Sequence, residues 1–409
     1  MHNKSKSWEN KIKSQCKEDL KMKVRYLSFF SFLICIMLIF NSFIIVSNAV
    51  DFDINAKAAL LMDKGSGTVI YEKNAHDKLP PASLTKVMTM LLVMEALETK
   101  MITLEDKVLI SERAASMGGS QLFLEPGEEK TVEDLMKGIA VASANDGCVA
   151  IGEHVSGTEE LFIKRMNERA MELGMNNTQF MNPSGLPQEG HYSTAYDIAL
   201  MSRELLKYPK VHDWLTIWMS TMKVGLPHKK QTTLELTNTN KLIRKYPGAN
   251  GIKTGYTSDA KYCLSSSATK NGLTLISVIL GSPTSDIRFA EAKKLFNYGY
   301  ATYSSVPIAK KNQIVEELTV EKGKETKINV VAKEDLSALV KKGEEKTVEK
   351  EIVLVNVLKA PLQKSQKIGE IIITKDGQEL GRVDIITEKA ILSASFLDIF
   401  GRILSKTMQ

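Results

Sequence analysis

Cysteine is nearly absent from the body of this chain. Of four cysteines, Cys16 and Cys35 lie near the amino terminus, and only Cys148 and Cys263 lie beyond residue 50. Two thiols so far apart do not make a disulfide-stapled scaffold, and each reads first as a small buried hydrophobe. Histidine is sparse too. The six histidines are scattered, with no His-Glu-x-x-His and no Cys-x-x-Cys, so no zinc site and no cofactor are expected. The body also lacks an excess of either charge. The net charge is +6, but residues 1–25 hold eight basic and three acidic residues, which leaves 46 basic against 45 acidic in the rest. A nearly neutral body has no electrostatic footprint for nucleic acid, and that partner class is set aside.

What is present begins with a hydrophobic run. Tyr26 to Val46 carries no charge, follows a basic stretch and gives way to Ser47-Asn48-Ala49. Small residues at that exit are the mark of a secretory leader, here residues 1–49; a retained membrane helix is the alternative. In either case the body is exported. "MKVRYLSFF" from Met22 has the proportions of a complete leader, so translation is expected to start at Met22. Changing that codon with Met1 intact would then abolish expression.

With 409 residues and 43% hydrophobic content, the chain can fill two or three cores. "AALLMD" and "TVIYEK" flank the turn "KGSG" and read as a hairpin. From Ser83 to Leu97, apolar residues recur at intervals of three and four, without Gly or Pro, as in a helix buried on most sides. Residues 103–245 read mostly as helices and loops, with Thr131 and Asp134 as a capping pair. Strand character returns in "GIKTGYTS", "YCLSSSATK" and "LTLISVILG", the last two joined by Asn271-Gly272. A helix follows in "IRFAEAKKLFNYGY". Separated strands with helices packed on an antiparallel sheet give an α+β domain over 50–305. From Val306 short strands and charged turns read as a small all-β domain to residue 386, with Asp376-Gly377 as a hairpin. Residues 387–409 carry Ile391, Leu392, Phe396, Ile399, Phe400, Ile403 and Leu404 as an apolar stripe. That segment is either an interfacial membrane helix or a helix docked on its own domain.

Ser-x-x-Lys occurs five times, at Ser14, Ser83, Ser220, Ser258 and Ser267. Only Ser83 and Lys86 stand at the start of a strong helix, where residues three apart are neighbours. A serine hydroxyl is a weak nucleophile until a base takes its proton. A lysine one turn away can be that base once burial or nearby positive charge lowers its pKa. A serine at a helix start can also be simply a cap. Two motifs tip the balance: Ser143-x-Asn145 and Lys253-Thr254-Gly255 each occur once, in the order that marks penicillin-recognising serine acyltransferases.

The stretches "PPASLTKVMT", "SANDGCVA", "LGMNNTQFMNPSGL", "HYSTAYDIALMSREL" and "NGIKTGYT" resemble the serine-type D-alanyl-D-alanine carboxypeptidases, the low-molecular-mass penicillin-binding proteins. The resemblance implies a penicillin-binding/β-lactamase-like α+β domain, with an antiparallel sheet and a helical subdomain, then the small β-domain and a C-terminal amphipathic anchor. It implies an enzyme that removes the terminal D-alanine from peptidoglycan pentapeptides, binds β-lactams, and sits on the outer face of the cytoplasmic membrane. Residue by residue, it assigns Ser83 as acylated nucleophile, Lys86 as base, Ser143 as proton relay and Asn145 as the holder of Lys86 and substrate. Lys253 would supply positive charge, Thr254 and Arg288 would hold the substrate carboxylate, and the Ser83 and Tyr256 N–H groups would bind the oxyanion. Where the family often has histidine after Lys-Thr-Gly, this chain has Tyr256. Cys148, five residues after Ser143, is expected to give modest thiol-reagent sensitivity through crowding. Two rival readings remain. One is a class A β-lactamase, with Glu172 of "ELGMN" as the deacylating glutamate. The other is a non-catalytic penicillin sensor on the same fold.

Overall fold

The computed structural model describes residues 53–400, apart from 230, 356 and 399. The leader, the Met22 start, and Ile399, Ile403 and Leu404 of the C-terminal stripe lie outside the described residues. The central sheet has five strands: β1 (Ala58–Asp63), β2 (Val69–Lys73), β3 (Ala249–Thr257), β4 (Lys261–Lys270) and β5 (Leu273–Ser282). Their order is β2-β1-β5-β4-β3, every neighbour is antiparallel, and β3 is left at an edge. The β4–β5 turn places Asn271 at φ 51° and Gly272 at φ 79°, the positive pair that a two-residue hairpin requires.

Alternation sets what each face of the sheet covers. Leu60, Met62, Ile276, Val278 and Leu280 join one large apolar core with the helices α1 (Lys86–Glu98), α2 (Val132–Ala142), α3 (Asn145–Ser156), α4 (Glu159–Glu172) and α5 (Ala195–Leu205). Leu61 and Leu275 turn to the other face, where Gly299 of α6 (Ser285–Thr302) lets that helix approach closely. α1 is buried without a break from Lys86 to Met94, so it is the central post of the core rather than an amphipathic surface helix. Thr131 accepts a hydrogen bond from the Asp134 N–H and caps α2 as expected. Gly174, at φ 75°, follows the end of α4.

Three local expectations change. Ser83 does not open the α-helix: residues Ala82–Thr85 form one 3₁₀ turn, and the α-helix starts at Lys86. The region expected to be helices and loops contains an antiparallel hairpin, Met219–Val224 with Thr232–Thr237. Its strands are largely exposed, and weak burial leaves little hydrophobic alternation to read. The change of texture expected at Val306 falls inside a strand, Tyr303–Ala309, which follows α6 directly.

Tyr303–Ala309 pairs with Leu336–Lys341. A six-stranded sheet runs in the order Glu349–Leu354, Lys367–Lys375, Gln378–Thr387, Lys327–Ala332, Ile314–Glu321 and Leu358–Lys359. Ile328, Val330, Ile371, Ile373 and Ile385 fill a separate core there. The helix expected from residue 387 is corrected. Thr387 ends a strand, and Ile391 is buried and bridged to Leu362 through both backbone hydrogen bonds. These bonds outweigh the helical spacing, so Ile391 leaves the stripe. The helix begins only at Phe396, where Ser395 and Asp398 cap each other. Leu392, Phe396, Leu397 and Phe400 are exposed. No helix among the described residues is long and apolar enough to cross a membrane.

Candidate active site

A 3₁₀ turn eclipses residues three apart, and the turn Ala82–Thr85 sets Ser83 and Lys86 side by side. Lys86 Nζ lies 3.2 Å from Ser83 Oγ. The same nitrogen donates to Asn145 Oδ1 at 2.6 Å and to the Ser184 carbonyl at 2.5 Å. Two fixed acceptors take two hydrogens of Nζ. The third valence points at Ser83, as a hydrogen in the ammonium and as a lone pair in the amine. Lys86 is fully buried, and burial lowers its pKa below the ordinary lysine range against the opposing influence of Cys148 and Asp146.

Ser143 ends α2 in the left-handed conformation, φ 64°, and is buried. That reversal lets α3 begin at Asn145. The Asn145 amide is oriented from both ends: Nδ2 donates to the Gly118 carbonyl at 2.6 Å, so Oδ1 must face Lys86. The Ser143 hydroxyl makes no hydrogen bond to Ser83, Lys86 or Lys253. Next to Asn145, the buried Asp146 carboxylate accepts from the Leu122, Leu124 and Gly147 N–H groups and pins the loop that carries Gly118.

Lys253, Thr254 and Gly255 lie on edge strand β3. A Cβ on Gly255 would stand 3.1 Å from the Ser83 nitrogen and 3.2 Å from the Pro81 carbonyl, so glycine lets the strand close on the turn that carries Ser83. Lys253 is buried, and its pKa falls well below the lysine range through burial and then repulsion from Lys86. Thr254 Oγ1 meets Thr239 Oγ1 at 2.5 Å. Tyr256 is exposed, with its ring 4.5 Å from that of Tyr262.

Arg288 is buried behind this strand. Its Nη1 donates to the Gly255 carbonyl at 3.0 Å and the Cys263 carbonyl at 3.1 Å, while its buried Nε has no partner. Burial lowers its pKa to about 10.

Sequence reasoning missed the Ser184 carbonyl, a backbone group in a loop. Its neighbour Gly185, at φ 85°, gives a readable signal: a Cβ there would sit 1.9 Å from the Ala82 carbonyl oxygen. His191 was also missed. Its Nδ1 accepts from the Met181 N–H, so Nε2 carries the proton that reaches Thr85 Oγ1 at 2.8 Å. Burial, then the Lys86 charge, lower its pKa to about 4. Cys148 is buried and its thiol is pushed up to about 11, chiefly by burial. Both argue against the expected thiol-reagent sensitivity. Glu172 sits on the surface, paired with Arg165 at 2.8 Å and Arg169 at 3.1 Å. It is not part of the cluster around Ser83.

Comparison with known families matches residues 45–284 to the family described as D-alanyl-D-alanine carboxypeptidase. The chain belongs to that family. This carboxypeptidase, a serine peptidase and hydrolase of the penicillin-binding group, also matches the C-terminal domain of penicillin-binding protein 5 over residues 303–392. It is 46% identical over 348 residues to the D-alanyl-D-alanine carboxypeptidase DacF of Bacillus subtilis, covering 85% of this chain and 88% of that one. It is 35% identical to DacC of Escherichia coli, covering 86% and 87%. Among solved structures, penicillin-binding protein 5 of Haemophilus influenzae superposes with a TM-score of 0.65 at 32% identity, over 83% of this chain and 98% of that one.

Proposed function

We propose that the carboxypeptidase works through an acyl-enzyme on Ser83, formed with Lys86 as base. The observation that carries this reading is the Lys86 nitrogen, buried, held by Asn145 and Ser184, and directed at Ser83 Oγ. Ser83 Oγ bonds to the carbonyl carbon of the D-alanyl-D-alanine peptide as its proton passes to Lys86. The carbon–nitrogen bond then breaks. The proton returns by way of Ser143 to the departing nitrogen, and D-alanine leaves. Water attacks the ester, and Ser83 recovers its proton.

The substrate peptide extends along the open edge of β3 as an added strand. Lys253 charge and the Thr254 hydroxyl hold the terminal carboxylate, and the Ser83 and Tyr256 N–H groups bind the oxyanion. Arg288 supports the carboxylate from behind, through its charge and its hold on the Gly255 carbonyl. The substrate is the peptidoglycan stem pentapeptide, and β-lactams acylate the same serine. Purified enzyme with a diacylated Lys-D-Ala-D-Ala peptide should release D-alanine, and labelled penicillin should form a slowly hydrolysed adduct. Ser83→Ala should lose both. Penicillin labelling without D-alanine release would indicate a sensor, and rapid penicillin turnover a lactamase.

The site of action is outside the cytoplasm. Residues 1–49 act as the leader, and the exposed apolar Phe396, Leu397 and Phe400 open an interfacial helix that attaches the enzyme to the membrane. Deleting residues 395–409, which spares the strand and bridge at Thr387 and Ile391, should move the processed enzyme to the soluble fraction. Membrane retention of the truncated form would refute the anchor.

A further inference from the structure

A cleft of about 380 Å³ opens beside the nucleophile turn. Pro81 and Ala82 form one wall, Leu186 and Glu189 another, and Thr257 and Asp259 a third. It therefore adjoins Ser83 on the side where β3 runs on past Gly255. Its titratable lining is Glu189, Asp259 and His191, with neither lysine nor arginine. His191 is neutral above about pH 4, so the cleft presents two carboxylates and no compensating cation. Its remaining walls are proline, alanine, leucine and the Gln188 amide, which suit a hydrocarbon stem.

The course of the substrate follows from the strand, on the reading that its carboxylate sits at Lys253 and Thr254. A peptide antiparallel to β3 has its C-terminus beside the start of that strand. Its upstream residues then pass Tyr256 and reach Thr257 and Asp259. The residue preceding the D-alanyl pair thus arrives at the cleft. An aliphatic stem with a free ammonium at its end matches apolar walls rimmed by carboxylates.

We infer that this cleft, through Glu189 and Asp259, is a subsite that selects stem peptides whose residue before the D-alanyl pair is a diamino acid with a free side-chain ammonium. The reading concerns specificity, and it rests on the acyl-enzyme assignment above. Both carboxylates are exposed, so the preference is modest and screened by salt.

The test compares two probes, Nα-acetyl-Lys-D-Ala-D-Ala with a free side-chain amine and its Nε-acetylated counterpart. D-Alanine release gives kcat/KM for each. At low ionic strength the native enzyme should favour the free amine by roughly three- to tenfold, about the worth of one or two exposed ion pairs. The ratio should fall towards one in the Glu189→Gln/Asp259→Asn double variant, and also in the native enzyme as salt rises. Because the readout is a ratio within one preparation, a partly folded variant does not mimic the result. A native ratio near one, or a preference that survives the double substitution, overturns the subsite while leaving the acyl-enzyme reading intact. Failure of the native enzyme to release D-alanine from either probe overturns both.

Discussion

Asn145→Asp isolates the proposed task of Lys86, because it changes charge at the base with almost no change in shape. The new carboxylate would stand where Oδ1 now lies, 2.6 Å from Lys86 Nζ. An opposite charge within a few ångströms favours the ammonium and raises a lysine pKa by about 1–3 units. Burial now holds Lys86 below the ordinary lysine range; the substitution reverses much of that. Below the raised pKa, each unit removes nine-tenths of the amine. Acylation by penicillin near neutral pH should then slow by roughly 10- to 1000-fold. The sign gives a sharper reading than the size. The lost rate should return as pH rises, with the acid limb displaced upward by the same 1–3 units. Asn145→Ala serves as the control, because it frees Lys86 without adding charge and should slow acylation without that upward displacement. The assay is the second-order rate of labelled-penicillin adduct formation from pH 5 to 11. If the Asn145→Asp profile superimposes on that of the parent apart from a uniform drop, the amine of Lys86 is not the base.

Two further outcomes follow from packing. Gly185→Ala places a methyl 1.9 Å from the Ala82 carbonyl oxygen at a left-handed φ of 85°. It should cost at least about 2 kcal/mol and slow acylation, because the loop that moves carries the Ser184 carbonyl; unchanged melting and acylation would refute the close packing. Cys148, buried and with a thiol pushed up to about 11, should resist thiol reagents at neutral pH until the enzyme unfolds. Stoichiometric labelling of the native enzyme within minutes would contradict that.

Where local chemistry dictates structure, the sequence was readable. Thr131 with Asp134, Asn271-Gly272 and Asp376-Gly377 each name a cap or turn, and each forms. The order Ser83–Lys86, Ser143–Asn145, Lys253–Gly255 was legible because side chains identify themselves. The Ser184 carbonyl was not, since every residue has one and only tertiary packing chooses which is used. The exposed hairpin at Met219–Val224 buries too little for its period to show. Ile391 had the spacing of a helix stripe, and its backbone pairing with Leu362 overrode that spacing. Arg288 was expected as a second partner of the substrate carboxylate, and no motif records that its Nη1 bonds the carbonyls of Gly255 and Cys263.

The burial of Lys86 has a consequence for the chain before it is folded. The groups that hold its nitrogen come from residues 83, 145 and 184, and the strand that closes over it comes from residue 253 onward. No short fragment contains them all. In an unfolded chain Lys86 regains an ordinary pKa near 10.4 and Ser83 is an ordinary alcohol. On the proposed acyl-enzyme, the polypeptide would therefore be inert towards β-lactams and wall peptides alike before it folds, and its reactivity would arrive with the last long-range contacts. Covalent penicillin uptake would then count completed molecules, and would time the maturation of this enzyme one adduct per finished fold.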